Sequence, residues 1–376
     1  MRFQAERDTL ADAVAWAARA LSPRPAVPVL AAMGLRVTGD TLALFTFDYE
    51  VSAQASVPVD GGEDGTVLVS GRLLAEIFKA LPPRPVEMEQ AGARVTLKCG
   101  SSVFTLYTIP QDEYPTLPPM PELAGSVGAD LFAQAIAQVA VAAGKDDTLP
   151  ALTGVRMEFG RDSVTLVGTD RYRLAARTME WVPARAGLDA AVLVPARTLT
   201  EAARSFGGSA VVSIGLAETV EHEAQGIIGW ETSDGRQTTT RLLGGEYPNY
   251  KTLLPTEFSA VAELAVGPFT EAVKRVALVA ERNTPVRLTF GAKGLLLEAG
   301  AGDEALAMET VEADYDGDEL KVNFNPQYLL DGLGAIGSDT ARISFTTPTR
   351  PAVLTGKRED RPADYRYVLM PIRSAG

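Results

Sequence analysis

The stretch VLVSGRLLAEIFKAL, residues 67–81, is written again as VLVPARTLTEAARSF at 192–206 and, more faintly, as VNFNPQYLLDGLGAI at 322–336. Each copy begins as an apolar strand and passes into a helix with apolar residues at i, i+3, i+4 and i+7. In the first copy these are Leu74, Ile77, Phe78 and Leu81; in the second, Leu199, Ala202, Ala203 and Phe206; in the third, Leu329, Gly332, Leu333 and Ile336. That spacing is one stripe of an amphipathic helix. A further helix precedes each copy, with the pattern i, i+4, i+7, i+8, i+11. It reads Leu10, Val14, Ala17, Ala18, Leu21, then Phe132, Ile136, Val139, Ala140, Ala143, then Phe269, Val273, Val276, Ala277, Ala280.

A period of about 120 to 140 residues is too long for a solenoid, whose repeats run to about 20–50. The chain of 376 residues therefore reads as three domains of one fold. Between the two helices of each unit lie β-rich runs broken by Gly39-Asp40, Gly160-Arg161-Asp162 and Gly291-Ala292-Lys293-Gly294, which are hairpin-type turn signals. These runs leave no room for crossover helices, so the strands are expected to be antiparallel. The expected class is α+β, two helices packed on a meandering sheet in each unit. Boundaries are expected in the Pro-rich connectors YPTLPPMPELAG (114–125) and EYPNYKTLLPTEF (246–258), giving domains 1–120, 121–255 and 256–376.

Composition is that of an ordinary soluble protein, 46% hydrophobic and 22% charged. No apolar run approaches the ~20 residues that span a bilayer, and the charged start MRFQAERDTL has no signal-peptide core. A cytoplasmic location is expected. Cys99 is the single cysteine, in a strand-like context, and is expected to be a buried structural thiol. The formal charge is −13, which argues against tight, charge-driven binding of nucleic acid. Its distribution is uneven. The six expected helical segments (6–24, 70–84, 128–147, 195–206, 268–283 and 324–336) hold 12 of the 35 basic residues and 11 of the 48 acidic ones. The helical segments are therefore near +1 and the rest of the chain near −14.

A catalytic constellation does not emerge. His222 is the only histidine, and it reads as a solvated strand-end or loop residue. The Gly-Lys dipeptides at 144–145 and 356–357 lack the frame of a phosphate-binding loop. The aspartates at 314, 316 and 318 lack the Gly and Glu that a calcium loop needs at 319 and 325. No metal or cofactor is expected. An enzyme on the triplicated scaffold is the rival reading, and it would need a convergent pocket of perturbed carboxylates.

The triplication, together with RPAVPVL (24–30), FDYEVSA (47–53), GTDRYRLA (168–175) and the terminal YRYVLMPIR (365–373), resembles the bacterial DNA polymerase III beta-subunit family, the replicative sliding clamps. The resemblance covers essentially the whole chain. It is nearest the actinobacterial branch, through the stretches AAGKDDTLPALTG (142–154) and ERNTPVRL (281–288). It implies a non-enzymatic processivity factor in which two subunits join head to tail into a ring of six domains. The helices would line a hole around double-stranded DNA, held without regard to sequence. It also implies short linear motifs as ligands, from the replicative polymerase alpha subunit, the clamp loader, other DNA polymerases, and mismatch-repair and ligase proteins.

Carried over by residue, the resemblance places Arg24, Arg72, Lys79, Lys145 and Arg197 along the DNA. It places Phe104 at the subunit interface opposite Leu278 and Val279. The peptide groove would take Leu152, Thr169, Arg173 and Leu174 from the second domain and Pro248 and Leu253 from the connector. Val368, Met370, Pro371, Ile372 and Arg373 would complete it from the terminus. Met and aliphatic side chains suit an adaptable apolar groove, and Thr169 and Arg173 would fix the polarity of the peptide. Two departures bear on the groove: Arg171 and Tyr172 stand where many family members have Gly-His, and Ser374 stands where a hydrophobic residue is common. They leave open a duplicate clamp with altered peptide or inhibitor tolerance.

Overall fold

In the computed structural model, all three copies of the repeated stretch form a strand followed directly by a helix. The structure describes residues 1–217, 226–255, 257–280, 284–300, 305–357 and 364–372, so His222 and residues 373–376 lie outside it. Among the described residues there are six α-helices: α1 (Arg7–Ala18), α2 (Gly71–Ala80), α3 (Ala129–Ala140), α4 (Ala196–Ala203), α5 (Val266–Val276) and α6 (Pro326–Ala335). No helix is long and apolar enough to cross a membrane.

The helices stop earlier than their apolar patterns, and proline supplies a reason. Pro23 and Pro25 push Ser22 and Arg24 out of helical backbone, which keeps α1 from reaching residue 24. Pro82 and Pro83 do the same after α2. Beyond α5 the chain tightens into a 3-10 turn at Ala277–Val279. The start of α6 is well specified. Pro326 sits where no N–H is needed, and the Asn325 side chain accepts from the N–H groups of Gln327 (2.9 Å) and Tyr328 (3.2 Å).

Every strand pairing is antiparallel, as expected for an α+β chain of hairpins. The described residues fall into two compact units. The first comprises Met1–Asp130, Val182–Ala186 and Glu201–Leu242, with a five-stranded and a nine-stranded sheet. Its core gathers Leu10, Val14 and Ala17 of α1, Leu74 and Phe78 of α2, and Phe3, Met88, Leu44 and Val57 from the sheets. Each such aliphatic or aromatic side chain removed from water stabilises by about 1.5–3 kcal/mol. Cys99 is buried in this core, its thiol facing the carbonyls of Pro82 and Arg84 at 3.3 Å.

The second unit, Leu131–Trp181, Gly187–Thr200 and Leu243 onward, has a nine-stranded and a four-stranded sheet. Phe132, Ile136 and Val139 of α3, Phe269 and Val273 of α5 and Leu329 of α6 are fully buried there. Repeats and compact units are cut differently, because each nine-stranded sheet draws strands from two of the three repeats. In the first unit the strand Gln237–Arg241 pairs with Val51–Pro58. In the second the strand Arg173–Glu180 pairs with Tyr365–Leu369.

Candidate functional site

Pairing of Arg173–Glu180 with Tyr365–Leu369 sets Arg173 opposite Leu369 and Leu174 opposite Val368. The motif GTDRYRLA and the terminal motif YRYVLMPIR thus become neighbours. Leu174 and Val368 share an apolar cluster with Val167, Ala176, Tyr250 and Val353, and Tyr247 and Leu254 pack against it. The terminal segment continues along the same edge. The N–H of Met370 donates to the Tyr172 carbonyl at 2.9 Å, and that of Ile372 to the Asn323 carbonyl at 2.8 Å.

The turn between the strands Ser163–Thr169 and Arg173–Glu180 is fixed by its own side chains. Asp170 Oδ1 accepts from the N–H groups of Tyr172 and Arg173, both at 3.0 Å. The Thr169 hydroxyl donates to the Arg173 carbonyl at 2.7 Å and accepts from the Arg171 N–H at 3.2 Å. Within this turn Arg171 adopts φ 78°, left-handed backbone that favours glycine. Gly168, just before, has no room for a side chain: a Cβ there would lie 2.6 Å from the Val139 carbonyl oxygen of α3.

Beside the turn opens a cleft of about 690 Å³. Leu149 and Leu152 line it on one side, Arg171, Tyr172 and Arg173 on another, and Gln327, Tyr328 and Asp331 of α6 on a third. Arg173 is the centre of its wall. Its guanidinium is buried, donates to Asp170 (2.9 Å), to Asp331 and to the Tyr367 hydroxyl (3.3 Å), and lies 4.3 Å from the ring centre of Tyr328. Burial disfavours its charge, but Tyr367, Asp331 and Asp170 together hold its pKa above the ordinary arginine value. Asp170 and Asp331 are likewise consumed by this network. Among the described residues no group of three His, Cys, Asp or Glu side chains is placed to hold a metal ion.

The expected groove residues sort by position. Leu152 and Arg173 line the cleft itself. Thr169, Leu174 and Val368 are buried in the strands beside it, where they support rather than present a surface. Thr169 and Arg173 spend their polar groups inside the wall. Leu253 (40% exposed), Met370 (40%) and Ile372 (37%) are open to a ligand, and Pro248 and Pro371 are half-buried. Arg373 lies outside the described residues. Sequence reasoning missed Tyr328, Gln327 and Asp331. The signal was present: the third copy of the repeated stretch carries all three in the opening turns of α6.

Arg24, Arg72, Lys79 and Arg197 are all exposed. Arg72 and Arg197 hold the same place in two copies of the repeat, in the first turn of α2 and of α4. Among the described residues none of the four is in an ion pair, whereas Arg204, Lys274 and Arg275 are paired with Glu201, Glu271 and Glu309. Arg19, at the end of α1, is a further exposed cation of this kind that the sequence did not single out. Lys145 is exposed too, but it lines the cleft beside Arg171.

Of the expected interface residues, Leu278 is 83% exposed and Val279 half-buried. Phe104 is partly buried against the core of the first unit. The outward large apolar residues of its strand Ser102–Tyr107 are Val103 and Tyr107, at 60% and 69% exposure, with Thr105 exposed between them. That strand ends the five-stranded sheet, and Ala307–Val311, with Met308 66% exposed, ends the four-stranded one. Each is a sheet edge with unpaired backbone groups and outward apolar side chains.

Asp331→Ala should remove one of the two carboxylates facing the Arg173 charge. Chemical denaturation should show a loss of about 1–3 kcal/mol, the range for an unsatisfied buried partner; an unchanged midpoint would mean that Asp170 and Tyr367 suffice.

The comparisons with known proteins agree with one another. Models of the DNA polymerase III beta subunit match in order: the N-terminal domain at residues 1–118, the central domain at 126–249 and the C-terminal domain at 251–373. The beta sliding clamp of Streptomyces coelicolor is 55% identical over the full length of both chains. The beta sliding clamp homolog GriR of Streptomyces muensis is 43% identical over 99% of each. The crystal structure of the DNA polymerase III subunit beta from Pseudomonas aeruginosa superposes with a TM-score of 0.91 at 28% identity, covering 99% of this chain and 100% of that one. With its three repeats matched end to end and in order, the chain belongs to the bacterial DNA polymerase III beta-subunit family of sliding clamps.

Proposed function

We propose that the chain works as a DNA sliding clamp. Two copies close head to tail into a ring of six domains around duplex DNA, bounded in each chain near residues 120 and 255. The ring tethers the replicative polymerase and docks short linear peptides at the cleft beside Arg173. It acts in the cytoplasm and carries out no catalysis of its own. The observation that carries this reading is the match of all three clamp domains, in order, across the chain.

Physical features support it. A net charge of −13 is compatible with DNA binding if retention comes from encirclement rather than from many phosphate contacts. The unpaired cations Arg24, Arg72, Lys79 and Arg197 then serve as a sparse lining. The two apolar sheet edges suit ring closure. The strand Ser102–Tyr107 of one copy would meet Ala307–Val311 of the other, a heterologous contact that closes only at the right rotation. The peptides are those of the polymerase alpha subunit, the clamp loader, other polymerases, and mismatch-repair and ligase proteins. A duplicate clamp with altered ligand tolerance is favoured by one observation, Arg171 in left-handed backbone at the cleft. The higher identity to the Streptomyces coelicolor clamp than to GriR supports the principal reading.

Analytical ultracentrifugation should give a dimer at micromolar concentration. Replacing both Leu278 and Val279 by Ala should weaken it by about 2–5 kcal/mol if the leucine is buried in the contact. A wild-type monomer would remove the ring. Separately, deleting residues 370–376 should abolish calorimetric binding of a peptide with a Gln and a Leu-Phe end, while leaving the dimer intact. Unchanged peptide affinity would mean that the terminal segment forms no part of the groove.

A further inference from the structure

We infer that Glu158 is a positioning residue for the peptide groove: its carboxylate latches residues 247–254 of the connector onto the sheet and so holds Leu253 where a peptide meets it. The inference rests on the peptide-docking reading above and adds to it a residue outside the groove. Alternation along the strand Gly154–Phe159 buries Val155, Met157 and Phe159 and turns Arg156 and Glu158, both half-buried, to the opposite face. Val167 stands opposite Arg156 in the neighbouring strand and so belongs to that face. It is part of the apolar cluster on which Tyr247, Tyr250 and Leu254 pack. The connector thus lies over an apolar patch with a charged pair at its margin.

Glu158 gathers three donors. Its Oε1 accepts from Arg156 Nε at 2.8 Å, and its Oε2 accepts from the Tyr250 hydroxyl at 3.0 Å and lies 3.2 Å from Lys251 Nζ. Burial disfavours the carboxylate, but Arg156, Tyr250 and Lys251 together hold its pKa below the ordinary glutamate value. Two of these donors, Tyr250 and Lys251, belong to the connector, and Tyr247 adds a bond from its hydroxyl to the Val167 carbonyl at 3.0 Å. Tyr250 opens the 3-10 turn Tyr250–Leu253, within which the Thr252 hydroxyl donates to the Asn249 carbonyl at 2.8 Å. Side chains three apart eclipse in such a turn, so a fixed Tyr250 fixes Leu253. The connector between the first two repeats is held differently. There the Tyr114 hydroxyl accepts from the Phe47 N–H at 2.8 Å, and Ile109, Tyr114 and Leu117 pack on an apolar cluster. In the matching strand, MGLRVT (33–38) against TGVRME (153–158), Thr38 stands in the place of Glu158. The charged latch belongs to the connector that carries the expected groove residues Pro248 and Leu253.

The test uses the full chain, a fluorescein-labelled peptide with a Gln and a Leu-Phe end, and anisotropy. Glu158→Ala should weaken binding about five- to ten-fold, because a connector that keeps its bound position only about a tenth to a fifth of the time scales the apparent affinity by that fraction. Tyr250→Phe keeps the ring in the apolar cluster and removes only the hydroxyl, and should weaken binding about two- to five-fold. Glu158→Gln leaves one oxygen to accept from Tyr250, and should fall between the wild type and Glu158→Ala. Leu253→Ala should cost affinity in the wild type and cost less on the Glu158→Ala background, where Leu253 is already displaced; general damage would leave the two losses multiplicative. If Glu158→Ala does not fold, Tyr250→Phe takes its place in this cycle. Affinity unmoved by these substitutions, or a multiplicative cycle, overturns the inference while leaving the groove in place. Failure of the peptide to bind the wild type overturns the groove reading itself, and the inference with it.

Discussion

The pairing of Arg173–Glu180 with Tyr365–Leu369 is the interaction on which the candidate site depends. Its five opposed residue pairs join segments separated by nearly half the chain. Once they are in register, Leu174 and Val368 share one apolar cluster and Arg173 lies within reach of Tyr367. The same register delivers Met370 to the Tyr172 carbonyl. A slip of one residue would turn the apolar face outward and swing Arg173 away from its partners. The cleft is therefore a product of sheet assembly, with α6 supplying its third side from another part of the chain.

The triplicated unit explains the remaining economy of the chain. An amphipathic helix pair on an antiparallel sheet buries its stripe whichever repeat it belongs to, so the cores need only apolar residues at the same spacings. What differs among the repeats is their exposed equipment. Arg72 and Arg197 occupy equivalent helix starts, while the third repeat has Gln327 there, facing the cleft. Strand edges differ as well. Ser102–Tyr107 and Ala307–Val311 end their sheets with apolar side chains outward, a liability in a monomer and an asset in a proposed ring.

Helices and hairpins were legible in the sequence because their signals are local. The stripe from Leu74 to Leu81 is buried as spaced, as is that from Leu10 to Leu21 except for the half-buried Ala18, and Gly39, Gly160 and Gly294 mark hairpin ends. The assembly of the nine-stranded sheets was not legible, since pairing between distant strands leaves no period in the sequence. Helix ends were set too late because the apolar pattern runs on past the last helical residue, to Leu21 after α1 and to Leu81 after α2. At the site, Arg173 was expected to fix the polarity of a peptide, whereas its burial among Asp170, Asp331, Tyr328 and Tyr367 makes its guanidinium part of the wall. Phe104 was named by resemblance, whereas strand alternation in SVFTLY turns Val103 and Tyr107 outward.

The central claim is that the chain holds DNA by enclosure. The most direct measurement loads labelled protein onto a nicked circular plasmid with a clamp-loader ATPase, removes free protein by gel filtration, and then cuts the plasmid once. The account predicts stable retention on the circle and rapid loss after cutting, with little dependence on salt before the cut. Equal retention on circular and linear DNA, with affinity falling steeply as salt rises, would contradict it and place the binding in direct phosphate contacts.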